Sequence, residues 1–527
     1  MTEHMIRQAE LASASMAGSA TVADGGLFGT PLFTDPKARA LARVGVIDIG
    51  SNSVRMVVFD GAARSPAYFY NEKILCGLGA GFAQTGRLSA EGRPRALAAL
   101  KRFAALAKGM KVTSLVTVAT AAMREAEDGP EFKAMAERET GLTIHVVDGQ
   151  EEARFSAQGV LLGWPGAQGM ICDIGGSSME LAELLGEGAV GKRETSQLGP
   201  FRLQGITGGK KAIRMHIRAV IDDLREKFPD RQGRLFLVGG SWRAIARIDM
   251  ERRNYPLMVL HEYRMSVSDI HKTAKYIEEH ALEELRQICG LSSARMALVP
   301  IATEVLKRLI RTFKPKDIAV SSYGIREGLL YEQMPQRLRD RDPLIEASRF
   351  AEIKDARLPG FGKRLYRFVL PLFRHASKAD KRLIKAACLM HDVSWRAHPD
   401  YRAELCFDNV TRANLGGLKH SERVFLGLAL QHRYRNKRGE AHFEPLYDLL
   451  DEKRQKQAEI LGKAMRFGAM MWMQKDIDLG RLTFHPKRKE LHLRLAISAE
   501  PLFGEVAQAR LQSLANALEA GLSVEFV

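Results

Sequence analysis

Short apolar runs broken by small-residue turns set the pattern of the first two-thirds of the chain. Val44–Ile47 and Val54–Phe59 flank Asp48-Ile49-Gly50-Ser51-Asn52-Ser53. Met170–Cys172 and Met179–Ala182 flank the near-copy Asp173-Ile174-Gly175-Gly176-Ser177-Ser178. Each set reads as strand, tight turn, strand, with an Asp closing the first strand. Two such loops predict a duplicated unit whose halves face one cleft. Between them, Leu97, Leu100, Phe103, Ala104 and Ala107 recur at spacings of three and four and predict a helix over 94–108. Apolar runs predict strands at 115–119, 143–147 and 235–238, the last ending in Gly239-Gly240-Ser241. A small-residue helix precedes the second loop.

A charged linker, Gln336–Pro343, separates this region from one of helical texture that runs to about Asp476. Residues 491–497 alternate, 504–520 read as a helix and 522–527 as a strand. The resulting division is a flexible leader at 1–40, rich in Ala, Ser and Gly, then α/β units at 41–154 and 155–334. A helical domain at 344–476 and a small α+β appendage at 477–527 complete it.

Composition adds a partner class. The 527 residues carry 79 Lys and Arg against 62 Asp and Glu, a net charge of +17. Residues 361–490 alone hold 27 basic and 15 acidic side chains. Runs at Lys378/Lys381/Arg382/Lys385, Arg433/Arg435/Lys437/Arg438 and Lys487/Arg488/Lys489 predict a platform for a long polyanion. Aromatics for base stacking are sparse there, which favours inorganic polyphosphate over a specific nucleic acid. No run approaches the roughly 18 apolar residues of a membrane span, so no membrane partner is expected. The five cysteines lack ligand spacing and suit a reducing cytoplasm. The N-terminus has no continuous apolar core, so no signal peptide is expected.

The loops supply candidate chemistry. Glycines permit a tight turn and close approach of a ligand to the main chain. Consecutive N–H groups form an anion-binding concavity, to which Ser and Asn add donors. Gly50, Ser51, Asn52, Ser53 and Gly175, Gly176, Ser177, Ser178 are therefore candidate phosphate binders, with Arg55 and Arg124 as forked clamps. Asp48 and Asp173 point at the same place and would repel phosphate unless a cation lies between. Glu151 and Glu152 read as acids in the first turn of a helix.

Five segments carry a resemblance. They are Val46–Ser53, Ala119-Thr120-Ala121-Ala122-Met123-Arg124, Gly149–Arg154, Asp173–Leu181 and Tyr323–Gly328. In this order they resemble the exopolyphosphatase / guanosine pentaphosphate phosphohydrolase family, within the actin and hexokinase superfamily. The resemblance implies two ribonuclease-H-like domains around a phosphate cleft, a mainly helical HD-like domain and then the α+β appendage. It implies Glu152 as the catalytic carboxylate, and Asp173 and Glu180, with Asp48 as a further candidate, as ligands of Mg2+. A monovalent cation is a further candidate. The chain departs from the family run at Ser177, where a third glycine is usual, and at Met179, where Thr is usual.

In the helical region His391-Asp392, His432 and His375 look like an HD-type metal set, but 464–473 lacks the later Asp. Gly239-Gly240-Ser241 reads as a strand-to-helix turn, and Trp242 and Arg243 after it would crowd a nucleotide. The expected activity is hydrolysis of terminal phosphates from inorganic polyphosphate by a cytoplasmic enzyme, with a homodimer expected by analogy. Guanosine pentaphosphate is the alternative substrate. A kinase or ATPase holding adenosine at 239–241, and a non-enzymatic polyanion binder, are readings from other classes.

Overall fold

The computed structural model describes residues 26–35, 37–229, 233–437, 441–471 and 480–527. The chain divides into two units, Met1–Arg341 and Asp342–Val527.

The first unit holds two sheets. One has the order β3-β2-β1-β4-β5, built from β1 (Ala40–Ile49), β2 (Ser53–Ala62), β3 (Ala67–Leu75), β4 (Ser114–Ala119) and β5 (Ile144–Val146). β1, β2 and β3 form an antiparallel meander, and β4 and β5 add in parallel to β1. The second sheet repeats the plan. β6 (Gln168–Ile174), β7 (Met179–Gly186) and β8 (Ala189–Ser196) make the meander. β9 (Arg234–Gly239) and β11 (Asp317–Val320) follow in parallel, and β10 (Arg264–Met265) caps the edge. The duplicated α/β architecture is the ribonuclease-H-like one expected for the actin and hexokinase superfamily. The central strands are apolar on both faces because helices cover both. α1 (Gly92–Gly109), for example, buries Ala96, Leu100 and Phe103.

Two helices join the halves. α3 (Gly149–Gly163) begins at a capping box in which Asp148 and Glu151 exchange side-chain and backbone hydrogen bonds. α5 (Ile325–Glu332) packs against it so closely that a Cβ on Gly159 would strike the Gly324 carbonyl. One on Gly328 would strike the Phe155 carbonyl. Only glycine permits that approach. Phe155, Val160, Tyr323 and Leu329 here share one core with Val46 and Val57 of the first sheet and Ile171 and Phe236 of the second.

Residues 1–25 of the expected leader, and Pro36, lie outside the described residues. Its later part departs from the expectation of flexibility, because Phe28 is buried in that same core. Burial of its ring contributes about 1.5–3 kcal/mol towards the entropy of ordering the segment.

The second unit is mainly helical. Its elements include α6 (Pro343–Asp355), α7 (Lys378–Met390), α8 (Arg402–Arg412), α9 (His420–Tyr434), α10 (Glu452–Met471) and α11 (Glu505–Ala517). A mixed sheet of β12 (Gly480–His485), β13 (Glu490–Leu495) and β14 (Gly521–Phe526) ends it. Among the described residues no helix is long and apolar enough to cross a membrane. All five cysteines are buried and free.

Candidate active site

The two glycine-serine loops come together. Gly50 N–H donates to Ser53 O at 3.0 Å, and Gly175 N–H donates to Ser178 O at 3.0 Å, so the turns close identically. Those two amides are engaged within the turn and are not free for a ligand, a correction to the expectation that all four in each loop would serve. The remaining amides are oriented by tethers on the opposite edges of their peptides. Gly79 N–H holds Ser51 O at 2.8 Å, Cys76 and Gly77 N–H hold Asn52 O, and Phe201 N–H holds Gly176 O at 2.9 Å. A carbonyl and the following N–H point in opposite directions, so Asn52, Ser53 and Ser177 turn their N–H groups away from these tethers. Ser177 Oγ donates to Ser51 Oγ at 2.9 Å. The loops therefore touch.

A cavity of about 210 Å³ opens between them, lined by Asp48, Gly50–Ser53, Arg55, Glu152, Asp173, Gly175, Gly176 and Ser178. Three expected residues stand off its wall. Arg124 donates through Nη1 to Val147 O at 2.8 Å and to Glu152 Oε2 at 3.4 Å, so it steadies the carboxylate. Ser177 serves the loop contact. Glu180 is fully buried opposite Asp173 in the β6–β7 register.

The acids are crowded. Burial first, then the charges of Asp173 and Asp48, push Glu152 up to about 8 against the pull of Arg124. Burial raises Asp173, against the hydrogen bond that Ser156 Oγ donates to it. Burial, then Glu152 and Asp173, raises Glu180. Thr195 donates to Glu180 Oε1 at 3.1 Å, but Oε2 is buried without a hydrogen bond. Asp48 accepts from Arg326 Nη1 at 2.8 Å. Among the described residues no three such side chains stand close enough to cage a metal alone. The donor set fits magnesium, which takes one or two carboxylates and completes its shell with water and phosphate oxygens. Buried acids that repel one another are where a dication is favoured.

Four further cations line the cavity: Lys73, Arg243, Arg295 and Arg326. Burial, then Arg295, Arg55, Arg243 and Arg326, push Lys73 down to about 8. Burial, then Arg326 and Arg243, take Arg55 down to about 10, while its Nε donates to Asn71 Oδ1 at 2.8 Å. In the sequence Arg326 lies inside the Tyr323–Gly328 motif without an expected role, and Arg243 is expected only as an obstruction. Lys73 and Arg295 went unmarked. The signal for Lys73 is register, since it lies opposite Arg55. Gly239-Gly240-Ser241 is the expected turn, from β9 into α4 (Gly240–Arg252), and it also lines the cavity. Trp242 does not crowd it. The ring is fully buried with Nε1 donating to Cys172 O at 3.1 Å.

In the helical unit the HD-type set takes another form. Asp392 accepts from Arg357 Nε at 2.8 Å, Nη2 at 2.6 Å and N at 3.1 Å. Burial, then Arg433, push the His391 imidazole down to about 4. Its Nδ1 lies 2.9 Å from Cys388 O, and His375 is exposed. The basic runs also differ from one open platform. Lys378, Lys381 and Lys487–Lys489 are exposed, but Arg433 is buried and Arg435 pairs with Glu404 at 3.1 Å. Arg438 lies outside the described residues.

Comparison with known proteins places the chain in a family. The Ppx/GppA phosphatase family model matches residues 57–337, and that of the exopolyphosphatase C-terminal region matches 352–527. An exopolyphosphatase from Cytophaga hutchinsonii is similar at 23% identity over 55% of this chain and 97% of its own, with a TM-score of 0.51. A Ppx/GppA family member from Aquifex aeolicus is similar at 23% identity over 55% of this chain and 97% of its own, with a TM-score of 0.48. The chain belongs to the Ppx/GppA phosphatase family. It is a phosphoanhydride hydrolase.

Proposed function

We propose that the enzyme is an exopolyphosphatase, removing terminal phosphates from inorganic polyphosphate and releasing orthophosphate. The observation that carries this reading is the run of cations Arg55, Lys73, Arg243 and Arg295 along the cleft. None of them has a carboxylate ion pair among the described residues. Such a row suits a ligand that brings several negative charges in succession.

In this reading the N–H groups of Asn52, Ser53 and Ser177 and the nearby arginines hold the terminal phosphoryl group. Glu152 accepts a proton from the attacking water, and Arg124 keeps that carboxylate oriented and favours its charged form. The cations stabilise charge on the transferred group and on the leaving phosphate. Asp173, with Glu180 behind it and Asp48 alongside, would hold magnesium, which would supply charge neutralisation on the phosphoryl oxygens. A monovalent cation is a further candidate at the anionic cleft.

Guanosine pentaphosphate is the second reading. Phe201, the one aromatic among the lining residues, could stack on a base. Turnover of long polyphosphate and of guanosine pentaphosphate, compared with magnesium at two salt concentrations, tests the order. Clear preference for the nucleotide reverses it.

Exposed lysines of the helical unit are proposed to bind the rest of a long chain. The buried free thiols suit a reducing compartment such as the cytoplasm. The proposed assembly is a homodimer, which sedimentation would test.

A further inference from the structure

Three arginines of the helical unit stand on neighbouring helices without a carboxylate ion pair among the described residues. Arg433 ends α9, Arg466 lies on α10 and Arg510 on α11. The helices are locked together beside them. Ser513 Oγ donates to Asn436 Oδ1 at 2.6 Å, so α11 runs along the end of α9, and three residues back on the two segments stand Arg510 and Arg433. A Cβ on Gly462 would strike Ala429 O and His432, so α10 lies backbone-close on α9, with Arg466 one turn further along.

Arg433 is 9% exposed, and its Nε makes no hydrogen bond. Its guanidinium lies over the Tyr434 ring at 4.9 Å. Arg466 Nη1 is likewise buried without a partner. Among the described residues none of the three forms a carboxylate ion pair. The carboxylate in electrostatic reach of Arg433 is Asp392, which Arg357 already grips through both edges of its fork. Burial, then the charges of Arg466 and Arg433, lower Arg510.

Unpartnered buried charge is strongly unfavourable, and several like charges make it worse. Arginine forks match the oxygens of a phosphoryl group. We propose that the junction of α9, α10 and α11 is a second anion site, separate from the catalytic cleft, that takes a phosphoryl group through Arg433, Arg466 and Arg510. The ligand is either free orthophosphate or the end of a phosphate chain. The site stands independently of which substrate the cleft hydrolyses.

The test uses the full chain carrying Glu152→Gln, so that phosphate chains survive, with orthophosphate and tripolyphosphate as separate probes in equilibrium dialysis. Arg466→Met/Arg510→Met should remove one class of site, weakening it by about tenfold or more per arginine. It should also raise Tm in phosphate-free buffer and abolish the further rise that phosphate gives at this site. Arg466→Lys/Arg510→Lys, which keeps charge and folding but loses the fork, should give an intermediate loss. Saturation by orthophosphate assigns free phosphate as the occupant, and a response to tripolyphosphate alone assigns a chain end. Unchanged stoichiometry and affinity for both probes in either double variant overturns the proposal.

Discussion

Arg55 and Lys73 lie directly opposite one another in the register of β2 and β3, two cations side by side on the wall of the cleft. Like charges in that position destabilise a sheet. On the other side of β2, β1 places Asp48 opposite Arg55. The second sheet repeats the row with Asp173, Glu180 and Thr195. The duplicated halves therefore differ at equivalent places, with two cations in one and a carboxylate and a hydroxyl in the other.

Lys73→Met should relieve the repulsion and weaken substrate binding together. KM for polyphosphate is expected to rise about tenfold, with a smaller change in kcat and a Tm equal to or above that of the parent. A KM unchanged within error would remove Lys73 from the binding surface.

Proton linkage gives a second check on Lys73. Its free-enzyme value of about 8 lies below the ordinary 10.5. The folded state thus holds this proton less tightly, and the repulsive charge is lost as pH rises through 8, so stability gains between pH 8 and 10.5. An anion restores the proton. Binding a phosphate chain near pH 8.5 should then take up protons, seen as a buffer-dependent calorimetric heat that Lys73→Met lacks.

Glu152→Gln keeps shape and burial but cannot accept the proton of water. Turnover should fall by roughly 10²–10⁴-fold while polyphosphate binding persists. Full activity in this variant would assign the base elsewhere.

Magnesium should stabilise the protein, because it replaces mutual repulsion among Asp173, Glu152 and Glu180 with attraction. Thermal scans with magnesium and with chelator should separate for the parent. Asp173→Asn should close that gap while remaining folded, and a gap of parental size would place the ion elsewhere.

Ser177→Ala removes the hydroxyl that reaches Ser51 across the cleft. A cost of about 1 kcal/mol is expected in unfolding, together with faster hydrogen exchange at the two loops. Unaltered exchange would deny the contact any role in holding the loops together.

Both loops and the central strands were legible because glycine-rich turns between apolar runs are local signals, whereas Glu152 was singled out through the family resemblance alone. β3 and β8 were not. They are edge strands with no fully buried face, and their sequences do not alternate apolar with polar residues. Lys73 was hidden with β3. Arg295 contributes through tertiary placement alone. The stretch around Arg433 read as surface because four basic residues crowd into it, yet helix packing carries Arg433 inside. The burial of Phe28 likewise depends on a core assembled from distant segments.

The backbone contact between α3 and α5 has a mechanical result. Glu152 sits on the first of these helices and Arg326, which grips Asp48, on the second. With glycine set against carbonyl at two points, the helices can rotate about their crossing but cannot slide or draw closer. Glu152 and the Arg326–Asp48 pair are therefore carried on two helices whose spacing is set by bare backbone, so a single methyl group at 159 or 328 would push the two apart.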